Sequence, residues 1–126
     1  MTIYSSTTLN FGTTSRLLYF RPQSTDEDVI KHILFDQQYN LGRIGRAAEL
    51  LEFAKQQQSN GRGPLIVDAG ANIGVSPIYF NANVPGALIV AIEPDLQNFK
   101  LLVKNVEGLN VEVIHGAISS LSLIHI

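Results

Sequence analysis

The chain has 126 residues, a formal net charge of −2 and no cysteine. This length suits one small domain, and the charge provides no basic face for a phosphate backbone, so nucleic acid is not expected as a partner. Without cysteine there is no disulfide or thiolate ligand, and the three histidines lack metal-ligand spacing, so no metal site is expected. The sequence shows neither a secretory signal nor a stretch that could span a bilayer, which predicts a cytoplasmic protein with no membrane span.

Residues 1–63 are predicted to form a mostly helical N-terminal segment. Residues 1–14 are rich in Ser, Thr and Asn and have little periodicity, so they are predicted to be a mobile lead-in that holds at most a short strand. Residues 16–21 suit a strand that ends at Pro22, because proline lacks a backbone donor and restricts the residue before it to extended geometry.

The helices of this segment are predicted from caps and apolar spacing. Ser24 followed by Glu27 fits a capping box, which places a helix start just after Pro22. A second helix is predicted from about residue 45 to about residue 58, because apolar residues recur there at helical spacing. Residues 59–64 combine two glycines with a proline and mark the boundary of the segment.

Residues 64–120 alternate between apolar strands and amphipathic helices. Helices of this length between strands imply parallel pairing with right-handed crossovers. The sequence therefore predicts an α/β fold with a partial doubly wound, Rossmann-like parallel sheet of three core strands. The strands are predicted at residues 65–69, 87–92 and 111–114, and the helices at about 75–82 and from about 95 to a glycine cap at Gly108.

Chemically distinctive residues follow each predicted strand. The first strand ends at Asp68 and a glycine turn, the second ends at Glu93, and the third is followed by His115. In doubly wound sheets, ligands bind at the carboxyl ends of the strands, where these residues would meet. A carboxylate after the second strand can accept hydrogen bonds from both hydroxyls of a ribose, so we expect a nucleoside cofactor.

The turn after the first strand helps to distinguish between nucleoside cofactors. A dinucleotide fold would show Gly-x-Gly-x-x-Gly, with the middle glycine making room for a pyrophosphate. Here the pattern is Asp68-x-Gly70-x-x-x-Gly74, and the side chain of Asn72 would crowd a diphosphate. Asp68 could also meet a cationic amino group. The pattern favours a cofactor without phosphates over an NAD(P)-binding oxidoreductase; a non-catalytic binding module and a non-functional translated fragment remain alternatives.

Residues 67–76 and 91–95, together with Asn98 and Asn105, resemble the FkbM-type S-adenosylmethionine-dependent methyltransferases. The motifs that carry the resemblance are D-x-G-A-N-x-G and a Glu-Pro pair, and it covers about residues 65–119. It implies O-methyl transfer from S-adenosyl-L-methionine to a hydroxyl of a sugar, lipid or natural product. The cofactor-binding residues that it implies are Asp68, Gly70, Asn72 and Gly74 at the methionine end, Glu93 and Pro94 at the ribose, and His115, Gly116 and Ala117 beside the adenine.

Several of these residues also have simpler structural explanations. The glycine turn could be no more than a tight turn, and Glu93 could be a solvated strand end. Asn72 could cap the following helix. His115 could act as a general base, although the resemblance favours a place near the adenine, so no catalytic residue is predicted.

From its C-terminal end, the chain is predicted to be an N-terminal fragment of a longer methyltransferase. This fragment is predicted to be inactive by itself. Three strands are fewer than the six or more of a complete doubly wound domain, and the outer edge of the first strand would lack a partner. Residues 121–126 resemble the translation of a sequencing adapter and are predicted to be a non-native tail. The contiguous DNA downstream of Ser120 tests this expectation. The sequence gives no basis for predicting the oligomeric state.

Overall fold

A computed structural model describes residues 3–11, 14–34, 56, 61, 63–118 and 123–125. The fold is α/β. The second predicted helix, residues 45–58, lies outside the described residues except for Gln56, which is helical. The described strands and helices are β1 Ser5–Phe11, β2 Thr14–Phe20, α1 Thr25–Leu34, β3 Leu65–Ala69, α2 Val75–Asn83, β4 Leu88–Glu93, α3 Leu96–Asn105, β5 Val111–Ile118 and β6 Leu123–His125.

The main sheet has the strand order β3-β4-β5-β6. The strands β3, β4 and β5 are parallel, and α2 and α3 are the connections between them. The prediction of an α/β fold with three parallel strands is therefore confirmed, and the arrangement is compatible with a Rossmann-like core. Within the described residues, β3 is an edge strand, as the sequence predicts.

Both crossover helices begin and end close to the predicted residues. In α2, Pro77 stands in the first turn, where a missing N–H breaks no intrahelical hydrogen bond. In α3, the carboxylate of the N-cap Asp95 accepts a hydrogen bond from the Asn98 N–H at 2.8 Å. The chain leaves α3 through Gly108, whose φ of +81° is the left-handed geometry predicted for a helix end.

The strand β5 is longer than predicted. The apolar pattern predicts an end at Ile114, whereas the strand continues to Ile118 because its last three residues pair antiparallel with β6. Residues 123–125, part of the predicted non-native tail, are thus hydrogen-bonded into the sheet. The coding origin of that tail stays a prediction.

The short strand that the sequence left open within the predicted lead-in is present at residues 5–11. These residues form β1, which pairs antiparallel with β2 along its whole length. The strand exists because Leu9 packs into the core beside Leu18, while its polar neighbours alternate toward solvent. The elements with described bounds in residues 1–63 are therefore the hairpin and α1, beside the single helical residue Gln56, and a mostly helical segment is not shown.

The hairpin and the parallel sheet share one hydrophobic core. A single cluster of buried residues includes Leu9, Leu18 and Ile30 from the N-terminal segment and Ile73, Val75, Ile78, Ala91, Leu101 and Leu102 from the sheet and its helices. Described residues on both sides of the predicted boundary at residue 63 thus contribute to the same cluster, and the division into domains stays a prediction. None of the described helices is both long and apolar enough to cross a membrane.

Asn105, at the end of α3, joins the two parts by hydrogen bonds. Its side chain is fully buried and exchanges two bonds with the backbone of Tyr19, at 2.8 and 2.9 Å. It also donates to the carbonyl of Ile73, in the turn after β3, at 2.8 Å. Because a buried amide without partners is costly, this side chain fixes the hairpin against both α3 and the turn.

Candidate functional site

The predicted site residues of the first two strands and His115 lie at one end of the sheet. The register pairs Asp68 with Ala91, and Glu93 with His115. Since side chains two residues apart on a strand share a face, Asp68, Glu93 and His115 are on the same face, close to where the parallel pairing of the three neighbouring strands ends. The topology thus brings together the residues that the sequence singles out.

The turn after β3 is tied to the end of β4. The backbone N–H groups of Gly70 and Ala71 both donate to the carbonyl of Ile92, at 2.8 and 3.0 Å. Asn72 follows with a φ of +56°, a left-handed geometry that asparagine tolerates better than most residues. The loop therefore has a defined path across the end of the sheet.

Asn72 does not cap α2. The N-cap of that helix is Gly74, with φ +106°, and no side chain bonds to its first turn. The helix-capping explanation of Asn72 is therefore wrong in this structure, because Gly74 takes the N-cap position and Asn72 lies two residues before it.

Glu93 holds the turn through its carboxylate. The side chain is 5% exposed, and its Oε1 accepts the N–H of Asn72 at 2.9 Å. Its Oε2 accepts the N–H of Asp95 at 2.9 Å and faces the Asn98 amide at 3.4 Å. Glu93 is therefore not a solvated strand end; it links the loop after β3 to the start of α3.

Asp68 has a carboxylate oxygen without a partner. Its Oδ2 is buried and accepts no hydrogen bond from the part of the chain that the structure describes. Burial raises the pKa of Asp68 to about 6, because a low-dielectric environment disfavours the charged form. A buried acceptor with no donor is the kind of group that a ligand can satisfy.

His115 is held by two contacts with the segment after β4. Its Nε2 lies 2.9 Å from the carbonyl of Pro94, and since a carbonyl only accepts, the proton is on Nε2. Its ring stacks on Phe99 with centroids 5.0 Å apart. These contacts fix the ring orientation, and a place near an adenine stays a prediction.

The prediction that the third strand ends before Gly116 and Ala117 is wrong, whereas their place beside an adenine stays a prediction. Both lie within β5 and pair with His125 and Ile124 of β6. Their pairing with β6 extends β5 beyond Ile114, where the apolar sequence pattern predicts the end of the strand.

The two glycines of the loop have different surroundings. A Cβ on Gly70, at φ +78°, would meet no atom of the described residues within 4 Å, so these residues leave this side of the loop open. A Cβ on Gly74 would lie 3.1 Å from Leu102 and 3.3 Å from Val106. The absence of a side chain at Gly74 therefore lets the loop pack against α3, whereas Gly70 faces free space.

The structure adds three residues to this region whose roles were not predicted from the sequence. Arg21, at the end of the hairpin, donates to both Asp26 and Asn98, and Asn98 faces Glu93. The resemblance singles out Asn98 only as part of a motif. Arg21 and Asn98 are 77 residues apart, so no local pattern predicts their contact.

No protein-family model, curated protein or solved structure matches this chain.

Proposed function

We propose that the end of the sheet formed by β3, β4 and β5 binds S-adenosyl-L-methionine, and that the chain belongs to an O-methyltransferase. The unpartnered Oδ2 of Asp68, beside the open side of the loop at Gly70, is the observation that carries the proposal. A buried acidic acceptor suits a cationic donor and disfavours a phosphate, because two anions would repel each other. The ammonium group of the methionine part of the cofactor has the matching charge.

The carboxylate of Glu93 has fewer acceptor positions free for a ribose than a carboxylate without hydrogen-bond partners would have. A carboxylate has about four acceptor positions, and three donors of this chain already face that of Glu93. At most one position is left for a ribose hydroxyl. Glu93 would therefore serve the cofactor mainly by fixing the loop that contains Asn72, with one direct contact to the sugar.

The other residues would bind and orient the cofactor. Gly70 lets the backbone approach closely, and the ring of His115, locked on Phe99, would border the base. When bound, S-adenosyl-L-methionine would supply an electrophilic methyl group on a sulfonium for transfer to an acceptor hydroxyl. The acceptor class, a sugar, lipid or natural product, rests on the family resemblance alone.

Calorimetric titration with S-adenosylhomocysteine tests the proposal. Asp68→Asn keeps the shape of the side chain and removes its charge. We expect the Kd to rise roughly 10- to 100-fold, the usual cost of losing a charge-assisted hydrogen bond. Glu112→Gln is the matched control, because Glu112 is an exposed acid on β5, and it should change the Kd less than about twofold.

Two outcomes would contradict the proposal. The first is no binding of S-adenosylhomocysteine by the wild-type protein. The second is tighter binding of NADH, measured by its fluorescence, which would favour the oxidoreductase alternative. Glu93→Ala should also weaken binding, but it frees the loop at Asn72. Asp68→Asn is therefore the sharper variant.

A further inference from the structure

Arg21 and Asp26 form a paired group at the junction of the hairpin and α1. The guanidinium donates through Nε to Oδ2 at 2.8 Å and through Nη2 to Oδ1 at 2.7 Å, and the Arg21 backbone N–H donates to Oδ2 at 2.9 Å. Asp26 is 1% exposed, whereas the side chain of Arg21 is 30% exposed. Such a two-pronged pair fixes the plane of the guanidinium.

The same guanidinium orients the side chain of Asn98. Nη2 of Arg21 also donates to Oδ1 of Asn98. Because arginine has no acceptor, only the amide oxygen of Asn98 can face it. The NH₂ group of Asn98 is then turned toward Oε2 of Glu93, 3.4 Å away. Arg21 thus decides which end of the Asn98 amide the Glu93 carboxylate meets.

The backbone of Asn98 is also held by a hydrogen bond, so the position from which its side chain reaches Arg21 and Glu93 is fixed. Its N–H donates to the carboxylate of Asp95, whose own N–H donates to Glu93 Oε2. The other oxygen of Glu93 accepts the N–H of Asn72. A continuous series of hydrogen bonds therefore runs from the N-terminal segment to the loop after β3.

We propose that Arg21 is a positioning residue for Glu93, acting through Asn98, so that the N-terminal segment controls the geometry of the loop at Asn72. The structural part of this inference does not depend on any ligand. Its consequence for cofactor affinity rests on the proposed function.

Arg16 provides a matched control because it links the hairpin to α3 without contacting Asn98 or Glu93. Its guanidinium donates to the carbonyls of Asn105 and Glu107 at the C-terminal end of α3. If Arg21 merely fixed the hairpin to α3, loss of either arginine would have the same effect on the loop. A positioning role predicts that only Arg21 affects the groups bonded to Glu93.

Amide hydrogen exchange of the 126-residue chain, measured by NMR, separates the two roles. The N–H of Asn72 is bonded to Glu93, whereas the N–H of its neighbour Ala71 is bonded to the carbonyl of Ile92. In Arg21→Ala, we expect exchange at Asn72 to accelerate roughly tenfold relative to Ala71. In Arg16→Ala, the ratio of the two rates should stay within about twofold of the wild-type ratio.

Asn98→Ala tests the same series of bonds while keeping the Arg21–Asp26 pair. It should reproduce the change in the Asn72 to Ala71 ratio even where Arg21→Ala does not fold. An unchanged ratio in Asn98→Ala, or an equal change in Arg16→Ala, would overturn the inference.

Titration with S-adenosylhomocysteine extends the test to the site. Arg21→Ala should raise the Kd by at least roughly fivefold over that of Arg16→Ala. Equal Kd values would refute the consequence for the cofactor. If the wild-type protein does not bind this ligand, the proposed function fails, and the exchange ratios still decide whether Arg21 positions Glu93.

Discussion

Two buried carboxylates illustrate how surroundings set the state of a side chain. For Asp26, burial would raise the pKa, but the hydrogen bonds and charge of Arg21 outweigh it and lower the pKa below its ordinary value. For Asp68, burial raises the pKa to about 6, and no described residue donates a hydrogen bond to its Oδ2. Asp26 is therefore satisfied within the chain, whereas Asp68 retains an unused acceptor at the candidate site.

The raised pKa of Asp68 predicts a pH-dependent cost in stability. As the pH rises above the ordinary value of 3.8, the unfolded chain loses this proton first, while the folded chain keeps it until about pH 6. The free energy of unfolding therefore falls across this window. We expect Asp68→Asn to be more stable than wild type at pH 7 by about 1–2 kcal/mol, with allowance for solvent screening of a half-buried group.

Urea unfolding at pH 4 and pH 7 measures this difference. At pH 4 the gain from Asp68→Asn should nearly vanish, because both side chains are then neutral in the folded state. Glu112→Gln, at an exposed position, is the control for removal of a carboxylate. A gain of the same size at both pH values would contradict the assignment of the cost to Asp68.

At the scale of single elements, the start of α2 depends on its contact with α3. Gly74 combines φ +106° with close approach to Leu102 and Val106, so an alanine there meets both backbone strain and a crowded neighbour. We expect Gly74→Ala to lower the free energy of unfolding by about 2–4 kcal/mol. Equilibrium unfolding in urea provides the measurement.

Gly70→Ala is the control for backbone strain alone. Gly70 also has a positive φ, but a Cβ there meets no atom within 4 Å. Its cost should be about 1–2 kcal/mol, the usual penalty of a left-handed residue. Equal losses for Gly70→Ala and Gly74→Ala would show that packing against α3 does not limit position 74.

The sequence predicts an element well where the cause is local. Pro77, Asp95 and Gly108 each act within one helical turn, and the helix limits follow from them. The extension of β5 depends on pairing with β6, and the existence of β1 depends on Leu9 reaching a distant core. Such non-local contacts leave little trace in a short window of sequence.

The same distinction applies to the candidate site. Parallel topology places strand ends together, so the neighbourhood of Asp68, Glu93 and His115 could be predicted. The engagement of Glu93 by three donors and its connection to Arg21 could not, because they depend on side-chain orientation across 77 residues. The sequence thus identifies the place of the site more reliably than the role of each residue in it.

At the scale of the whole molecule, β3 forms an exposed margin of the sheet. Among the described residues, no strand pairs with its outer side, and Leu65 and Val67, on one face, are 64% and 53% exposed. Unpaired apolar edges favour pairing between molecules. We expect the 126-residue chain to self-associate with rising concentration, and Val67→Lys to reduce this association at least roughly threefold by light scattering.

Leu17→Lys provides the comparison for this prediction. Leu17 is a large apolar side chain that is 47% exposed on β2, away from the margin of the main sheet. This variant should leave the association nearly unchanged. An equal effect of both lysines would show that net charge, and not the margin at β3, controls association.

The hydrogen bonds of Asn105 also set an order of events during synthesis. Tyr19 leaves the ribosome 86 residues before the side chain that binds both its N–H and its carbonyl. At typical translation rates this delay lasts roughly 4–17 s. An isolated two-stranded hairpin is at best marginally stable. We therefore expect the hairpin of β1 and β2 to become stable only after α3 has been synthesised.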